Sequence, residues 1–427
     1  MFGLWHLGEI YANGLAALGH TVTGIDEDAV TINNFLKGIP PLPEPGLAAL
    51  MQKNRRAGRI GYSSDVRAVK ECNVVWFMFD TPVNARDESN LLPIMKMVRE
   101  AIPYFANDVL VVVSSQVPAG TSKTIHALIR RSRPKLKFHY AYCPENLQLG
   151  DAIRCFLHPE RIVLGTEDDE AFRRMKEIFR GVHTAFIRMS PASAEMAKHA
   201  LNAFFATSIS FINDIADASE KTGADVTDVV AALRSDPRIG DRAALGVGLG
   251  FSGGTLGRDI VALKGIGRTH GIALPVIESV FSKNASRPEV FVGKLESLLG
   301  GLRKKRIVLF GLTYKPGTTT LRRSRSLEVA SLLSKRGAIV VLSDHHVPQE
   351  TIPRSRGMIV EGDPYVAVKG ADALAFLTPW PDFRSLDFKV LAKSARPHAI
   401  VLDSSNLLYD REASIKKTGL RYHGIGR

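Results

Sequence analysis

The chain has 427 residues, 45% of them hydrophobic and 23% charged, with a formal net charge of +13. These are the proportions of a soluble globular protein with room for two or three domains and ample cores. No apolar run approaches a membrane span, and the N-terminus lacks the basic start of a signal peptide. Cys72, Cys143 and Cys155 show neither metal-ligand spacing nor a disulfide framework, so a reducing, cytoplasmic setting and no metal are expected. The basic runs Arg130 to Lys137, Arg303 to Arg306 and Arg322 to Arg325 sit beside predicted strands and turns without aromatic interleaving. That pattern points to phosphorylated small molecules as partners rather than to nucleic acid or a membrane.

The chain opens on Gly3-Leu4-Trp5-His6-Leu7-Gly8, followed by an apolar helix to Leu18 and a strand from His20 to Asp26. Strand, glycine turn, helix, and a second strand ending in an acid is the dinucleotide-binding pattern. In it a pyrophosphate sits on the helix N-terminus and Asp26 takes the ribose hydroxyls, which favours NAD over NADP. Trp5 stands where the pattern has its middle glycine. Met1 and Phe2 are too few for a central strand, so either the strand starts upstream or it is a stub with compensating contacts. Further strands are predicted at Asn73 to Phe79, Val109 to Ser114, Phe138 to Tyr142 and Arg161 to Gly165. They alternate with helices such as Leu92 to Ile102 and Ala171 to Arg180, the signature of a doubly wound parallel sheet. Ligands of such sheets bind at the carboxyl ends of strands, where Asp80-Thr81-Pro82, Ser114 to Thr121 and Cys143 to Leu147 lie.

A long helix is predicted next, capped by Ser190, with Pro191 at its first position and Gly223 as its stop. It is apolar almost all round (Met196, Leu201, Phe204, Phe205, Ile209, Phe211), so it is expected to be buried and central. Glu195, Lys198 and Asn202 fall on one of its faces, as a polar stripe toward a glycine loop or as an internal ion pair. That loop, Gly248 to Asp259, holds five glycines in twelve residues and is expected to be neither helix nor strand. A helix pair from Leu274 to Gly300 leads to a second α/β unit, which opens on Arg306 to Phe310 and turns through Gly311-Leu312-Thr313-Tyr314-Lys315. It reaches Asp344 and continues with strands at Ala373 to Thr378 and Ala399 to Asp403. The fold class is therefore α/β, two Rossmann-like doubly wound domains joined by a long central helix. The divisions are 1–188, 189–300 and 301–427.

Along essentially its whole length the chain resembles the UDP-glucose/GDP-mannose dehydrogenases. The matching stretches are collinear: Gly3 to Gly8 with Asp26, Val117 to Thr121, Pro144-Glu145 through Arg161-Ile162-Val163, and Glu195-Met196 with Lys198 and Asn202. They continue with Arg238-Ile239-Gly240, Gly248 to Asp259, Lys315 to Ser326, and Asp403 to Asn406. The resemblance implies oxidation of a nucleotide-sugar primary alcohol with NAD, for polysaccharide precursors. It also implies a homodimer built through the long helix. By the same resemblance Lys198 stabilises charge on the sugar oxygen, Asn202 holds the sugar, Asp259 organises a catalytic water and Glu145 assists an acyl step. Gly3, Leu7, Gly8, Asp26, Thr81 and Thr121 hold the cofactor. Gly250, Phe251, Gly253 and Lys315 hold the substrate, with Arg238 supplied across the dimer.

The departures from the family pattern cluster on the acyl chemistry. Thr255 stands at the position of the nucleophilic cysteine, Gln116 replaces a threonine, and Leu149 replaces a second glutamate. Ser405 and Arg258 replace an arginine and a lysine. A threonine hydroxyl needs an adjacent base to attack an aldehyde, where a thiolate needs little help. Cys143 is a displaced alternative nucleophile, although a buried cysteine is ordinarily a small hydrophobe. The expected activity is thus nucleotide-sugar oxidation that stops after one two-electron step. The alternative is a nucleotide-sugar-binding regulatory pseudoenzyme.

Overall fold

The computed structural model of the chain describes residues 1–42, 44–79, 81, 90–353 and 357–427. Asp80 and Pro82 of the loop singled out above lie outside the described residues. Two compact units, Met1–Leu201 and Asn202–Arg427, make up the chain. A helix of 32 residues, Pro191–Thr222, runs through the division.

The first unit holds β1 (Val22–Ile25), β2 (Ile60–Ser63), β3 (Val74–Phe77), β4 (Val109–Val113), β5 (Phe138–Tyr142), β6 (Arg161–Thr166) and β7 (Ala185–Met189). The pair β2-β1 and the run β3-β4-β5-β6-β7 are joined by Phe2, which bridges Ile25 on one side and Phe77 on the other, parallel to both. With Phe2 as strand one, the first six strands take the order 3-2-1-4-5-6 of a dinucleotide-binding sheet. The stub is well held. Phe2 donates its N–H to the Trp76 carbonyl (2.7 Å) and accepts from the Met78 N–H (2.9 Å), while the Met1 carbonyl accepts from Ile25 (2.7 Å). Phe2 is fully buried and stacks on Phe77. All five residues of β4 are buried, as both faces of a parallel sheet are covered.

One pairing departs from the parallel sheet read from the sequence: β6 runs antiparallel to β5. The short helix Ala152–Leu157 between them does not act as a crossover on the sheet. Instead Phe156 packs edge-on against Tyr11 and fills the space that a side chain at Gly14 would need.

The second unit holds β8 (Arg306–Phe310), β9 (Ile339–Ser343), β10 (Met358–Val360), β11 (Ala373–Phe376), β12 (Ile400–Asp403) and β13 (Arg421–Gly424). They pair in the order β10-β9-β8-β11-β12-β13, all parallel. This is again 3-2-1-4-5-6.

The helices between the two sheets correct three expectations. The long helix starts on the Ser190 hydroxyl, which accepts from the Ser193 N–H (3.2 Å), and stops at Gly223 with φ of 77°. It is not buried all round, because Met196, Phe204, Phe205 and Phe211 are exposed, Phe204 at 69%. Ala203 and Ala206 pack into a core with Ile260, Leu263 and Val280, Ile212 and Ala216 pack into the core of the second unit, and Ala194 packs into that of the first. The segment read as a helix pair is a single helix, Pro275–Leu299, with Pro288 inside. It continues past the proline because Val280, Phe291, Val292 and Leu295 on its inner face are buried. The glycine stretch is loop only as far as Gly254, and Thr255–His270 is helix. Gly248, Gly250 and Gly253 take positive φ, whereas Gly257 sits inside the helix.

Candidate active site

At the first unit's ligand end, Gly3 turns with φ of 82°, and a Cβ there would come 2.5 Å from the Met78 carbonyl oxygen. A Cβ on Gly8 would come 1.9 Å from the Gly3 carbonyl oxygen. Only glycine lets the turn and the helix His6–Ala17, with Leu7 and Gly8 in its first turn, pack this closely. Asp26 follows β1 half-buried, accepting from the Asp28 N–H (3.0 Å). Burial pushes its carboxyl up, while the Asp28 and Leu4 N–H groups pull it back. A cleft of about 100 Å³ opens beside it, lined by Ile25, Asp26, Phe79, Lys96 and Met97 among others. Thr81 is buried and donates to the Gln116 carbonyl (2.8 Å). Thr121 opens the helix Thr121–Ser132 and donates to the Pro118 carbonyl (2.6 Å).

Glu195 and Lys198 part company. The Glu195 carboxylate, fully buried, accepts from the N–H groups of Gly120 (2.6 Å) and Ser122 (2.7 Å) and from the Ser122 hydroxyl (2.7 Å). It caps the Thr121–Ser132 helix, so the polar stripe read from the sequence loses its first member. Lys198 donates to the Glu145 carbonyl (2.5 Å), and its ammonium lies 3.3 Å from the Glu145 carboxylate. Both side chains are largely buried, so each charge is desolvated beside its partner. Cys143, two residues before Glu145, is buried and its thiol is pushed up by burial to about 12. A neutral thiol in that place is core, not nucleophile.

One turn along the long helix, in the second unit, Asn202 donates to the Asp259 carboxylate (2.5 Å), and both are buried. Thr255, the first residue of the Thr255–His270 helix, is exposed. Among the described residues no group accepts a hydrogen bond from its hydroxyl. The loop before it is rigidly tied. Asn213 of the long helix accepts from the Gly248 N–H (3.0 Å). Asn284 accepts from the Phe251 N–H (2.8 Å) and donates to its carbonyl (3.1 Å). Arg287, buried, donates to the Gly248 carbonyl (3.0 Å) and pairs with Asp217 (2.7 Å). A Cβ on Gly250 would meet Asn284 Oδ1 at 2.2 Å, and one on Gly253 would meet the Tyr314 ring at 2.8 Å. These glycines therefore serve close packing rather than flexibility.

The family is decided by comparison with known proteins. Three domain models of the UDP-glucose/GDP-mannose dehydrogenase family match in order: the NAD binding domain over residues 1–183, the central domain over 192–286 and the UDP binding domain over 308–410. UDP-glucose 6-dehydrogenase of Rhizobium meliloti is 33% identical over 435 residues, covering 100% of this chain and 99% of the relative. The chain belongs to the UDP-glucose/GDP-mannose dehydrogenase family. UDP-glucose 6-dehydrogenase TuaD of Bacillus subtilis is 31% identical over 431 residues, covering 100% of this chain and 92% of that one. The solved UDP-glucose dehydrogenase of Pyrobaculum islandicum superposes with a TM-score of 0.89 at 29% identity, covering 100% and 96% of the two chains. This family member is accordingly an NAD-dependent oxidoreductase that acts on a CH–OH group of a nucleotide sugar.

The first unit fits NAD. Its glycine turn excludes any Cβ, a helix N-terminus follows at once, and Asp26 borders an open cleft. Arg238 and Lys315 are the other two charged positions singled out for substrate. Arg238 is highly exposed and is held by its neighbour Asp236 (2.6 Å), whose carboxylate raises the guanidinium's proton affinity. Lys315 lies on the β8 turn, with its ammonium 5.8 Å from the centre of the Tyr314 ring. The braces Asn213, Asn284, Arg287 and Asp217 were not foreseen. Their signal in the sequence was faint: polar residues on the inner faces of helices, visible only once the burial is known.

Proposed function

We propose that this family member oxidises the primary alcohol of a UDP-sugar, UDP-glucose foremost, for polysaccharide precursor synthesis, and that it stops after one two-electron step. NAD, when bound, supplies the hydride acceptor. Lys198, desolvated beside Glu145, stabilises negative charge developing on the sugar oxygen, and Asn202 holds the sugar. Asp259, its carboxylate oriented by Asn202, positions the water that takes the hydroxyl proton. Gly3, Leu7, Gly8, Asp26, Thr81 and Thr121 form the cofactor's bed, and Gly250, Phe251, Gly253 and Lys315 that of the nucleotide sugar. The exposed Phe204, Phe205 and Phe211 support a homodimer built on the long helix, in which Arg238 reaches the partner's substrate. Three functional parts, 1–188, 189–300 and 301–427, divide this work in a cytoplasmic enzyme.

The observation that carries the single step is Thr255. Its hydroxyl is exposed at the nucleophile position with no acceptor for its proton among the described residues. A hydroxyl with a pKa far above neutral does not trap the aldehyde without a base. The test is single-turnover counting of NADH together with product mass. One NADH per sugar with an aldehyde product is expected, and Thr255→Cys should restore some acid. Two NADH and a uronate from the unaltered chain would overturn the single step and favour oxidation of the aldehyde hydrate. No NADH with any nucleotide sugar, while binding persists, would make the chain a regulatory binder.

A further inference from the structure

The second unit carries a side-chain cluster that the dehydrogenase chemistry does not use. His345 and His346 follow β9 after Asp344, and Asp382 lies in the short 3-10 helix Pro381–Ser385 beyond β11. Both imidazole Nε2 atoms aim at the same carboxylate oxygen, Asp382 Oδ2. That of His346 is 3.1 Å away, and that of His345 is closer still. The three donor atoms all lie within 4.8 Å of one another. His346 is held for this. Its N–H donates to the Asp344 carboxylate (3.0 Å) and its ring stacks on Trp380 at 3.6 Å and 17°.

We propose that His345, His346 and Asp382 form a binding site for a divalent transition-metal ion of the Zn²⁺ class. Two imidazole nitrogens and one carboxylate oxygen are the donors that Zn²⁺ takes, at about 2.0–2.2 Å each, with a fourth position left to water or a ligand. Mg²⁺ and Ca²⁺ call for oxygen ligands instead. Donors bound to one tetrahedral ion lie roughly 3.3 Å apart, and rotation of the His345 side chain, which is 44% exposed, adjusts its nitrogen by the small amount needed. An ion reaches the site from solvent, because all three side chains are at least one-third exposed. The bland arrangement, one carboxylate hydrogen-bonded to two histidines, makes the opposite forecast for added metal, so the two are separable.

The experiment uses the full chain, free of any affinity tag and stripped with a chelator, titrated with ZnCl₂ calorimetrically and with CoCl₂ by visible absorption. One saturable Zn²⁺ site and tetrahedral Co²⁺ bands are expected, with no heat from MgCl₂. His346→Ala and Asp382→Asn should each weaken Zn²⁺ binding by on the order of 100-fold or more, since loss of a direct ligand exceeds the effect of an outer-shell change. Unfolding midpoints in metal-free buffer show whether each variant is folded. Should His346→Ala unfold, the exposed His345→Gln takes its place. No saturable binding by the unaltered chain, or binding that survives both His345→Gln and Asp382→Asn, would overturn the site.

Discussion

The two Rossmann units share one strand order and finish their first turn in different ways. In the first, Gly3 turns with φ of 82° and the helix starts at His6. In the second, Gly311 turns with φ of 84°, but the next helix starts only at Arg325, after a loop that carries Thr313, Tyr314 and Lys315. The acid at the end of the neighbouring strand differs to match. Asp26 is half-buried beside a cleft. Asp344 is 1% exposed, and its two oxygens are taken by the N–H groups of Leu312 (2.7 Å) and His346 (3.0 Å). The same residue type at the same topological place accepts equivalent N–H groups in both units, those of Leu4 and Asp28 on Asp26 and those of Leu312 and His346 on Asp344. What separates them is exposure, because Asp26 borders a cleft and Asp344 is closed off.

The largest expected effect tests that contrast directly. Asp344→Ala leaves the buried Leu312 N–H and the part-buried His346 N–H without partners, at about 1–3 kcal/mol each, so the second unit should lose roughly 2–6 kcal/mol of stability. Asp26→Ala removes the acceptor of the Leu4 and Asp28 N–H groups at a half-buried position beside a cleft, so it should cost less, about 1–2 kcal/mol. Its effect appears in the cofactor as well, as a rise in KM for NAD on the order of 10-fold and a loss of the preference over NADP. Denaturant unfolding and cofactor kinetics on both variants check this. Equal destabilisation by the two, or comparable turnover of NAD and NADP by the unaltered chain, would break the comparison.

A second contrast lies in buried carboxyls. Asp403 accepts from the N–H groups of Leu408 (2.7 Å) and Ser405 (3.1 Å) and from the Tyr422 hydroxyl (3.1 Å). Glu9 concentrates its bonds on one oxygen, with the Tyr62 hydroxyl at 2.5 Å and Asn13 at 2.8 Å, while its buried Oε2 has no partner among the described residues. Burial raises the Glu9 carboxyl from 4.5 to about 7. Between those values the folded chain holds a proton that the unfolded chain has released. Stability is therefore full below about pH 4.5 and falls as pH rises to about 7, by about 3 kcal/mol at ~1.4 kcal/mol per pH unit. Glu9→Gln should remove this slope and gain about 2–3 kcal/mol at pH 8. Parallel stability–pH curves for the two proteins would show that Glu9 does not carry the slope.

Much of this was legible in the sequence, and the failures have physical causes. The long helix was bounded correctly because Ser190, Pro191 and Gly223 are local signals. Strands β5 and β8 were placed to the residue because their apolar runs end on charge or turn residues. By contrast β2, β7, β10 and β13 passed unnoticed, being short and half-exposed edge or near-edge strands with little apolar patterning. Lys198 with Glu145 and Asn202 with Asp259 were named as site residues, but the pairings themselves join residues 53 and 57 positions apart. No periodicity encodes such contacts. Glu195 was misplaced for the same reason, since its partners Gly120 and Ser122 come from another element.

The smallest expected effect concerns Trp5, where the dinucleotide pattern has glycine. Its backbone is extended, with φ of −69° and ψ of −173°, and its side chain is 51% exposed at the N-cap of the first helix. That conformation is open to any L-residue, so the position does not need glycine in the way that Gly3 does. Trp5→Gly gains a slightly better cap but gives the unfolded chain more conformational entropy, and the two nearly offset, leaving stability within about 0.5 kcal/mol. The backbone N–H groups offered to a pyrophosphate stay where they are, so KM for NAD should change by less than about 3-fold, or ~0.7 kcal/mol. Gly3→Ala in parallel should be severely destabilising, because its Cβ meets the Met78 carbonyl oxygen at 2.5 Å. A gain in NAD affinity of 10-fold or more from Trp5→Gly would mean that the indole, not the backbone, governs access to the turn.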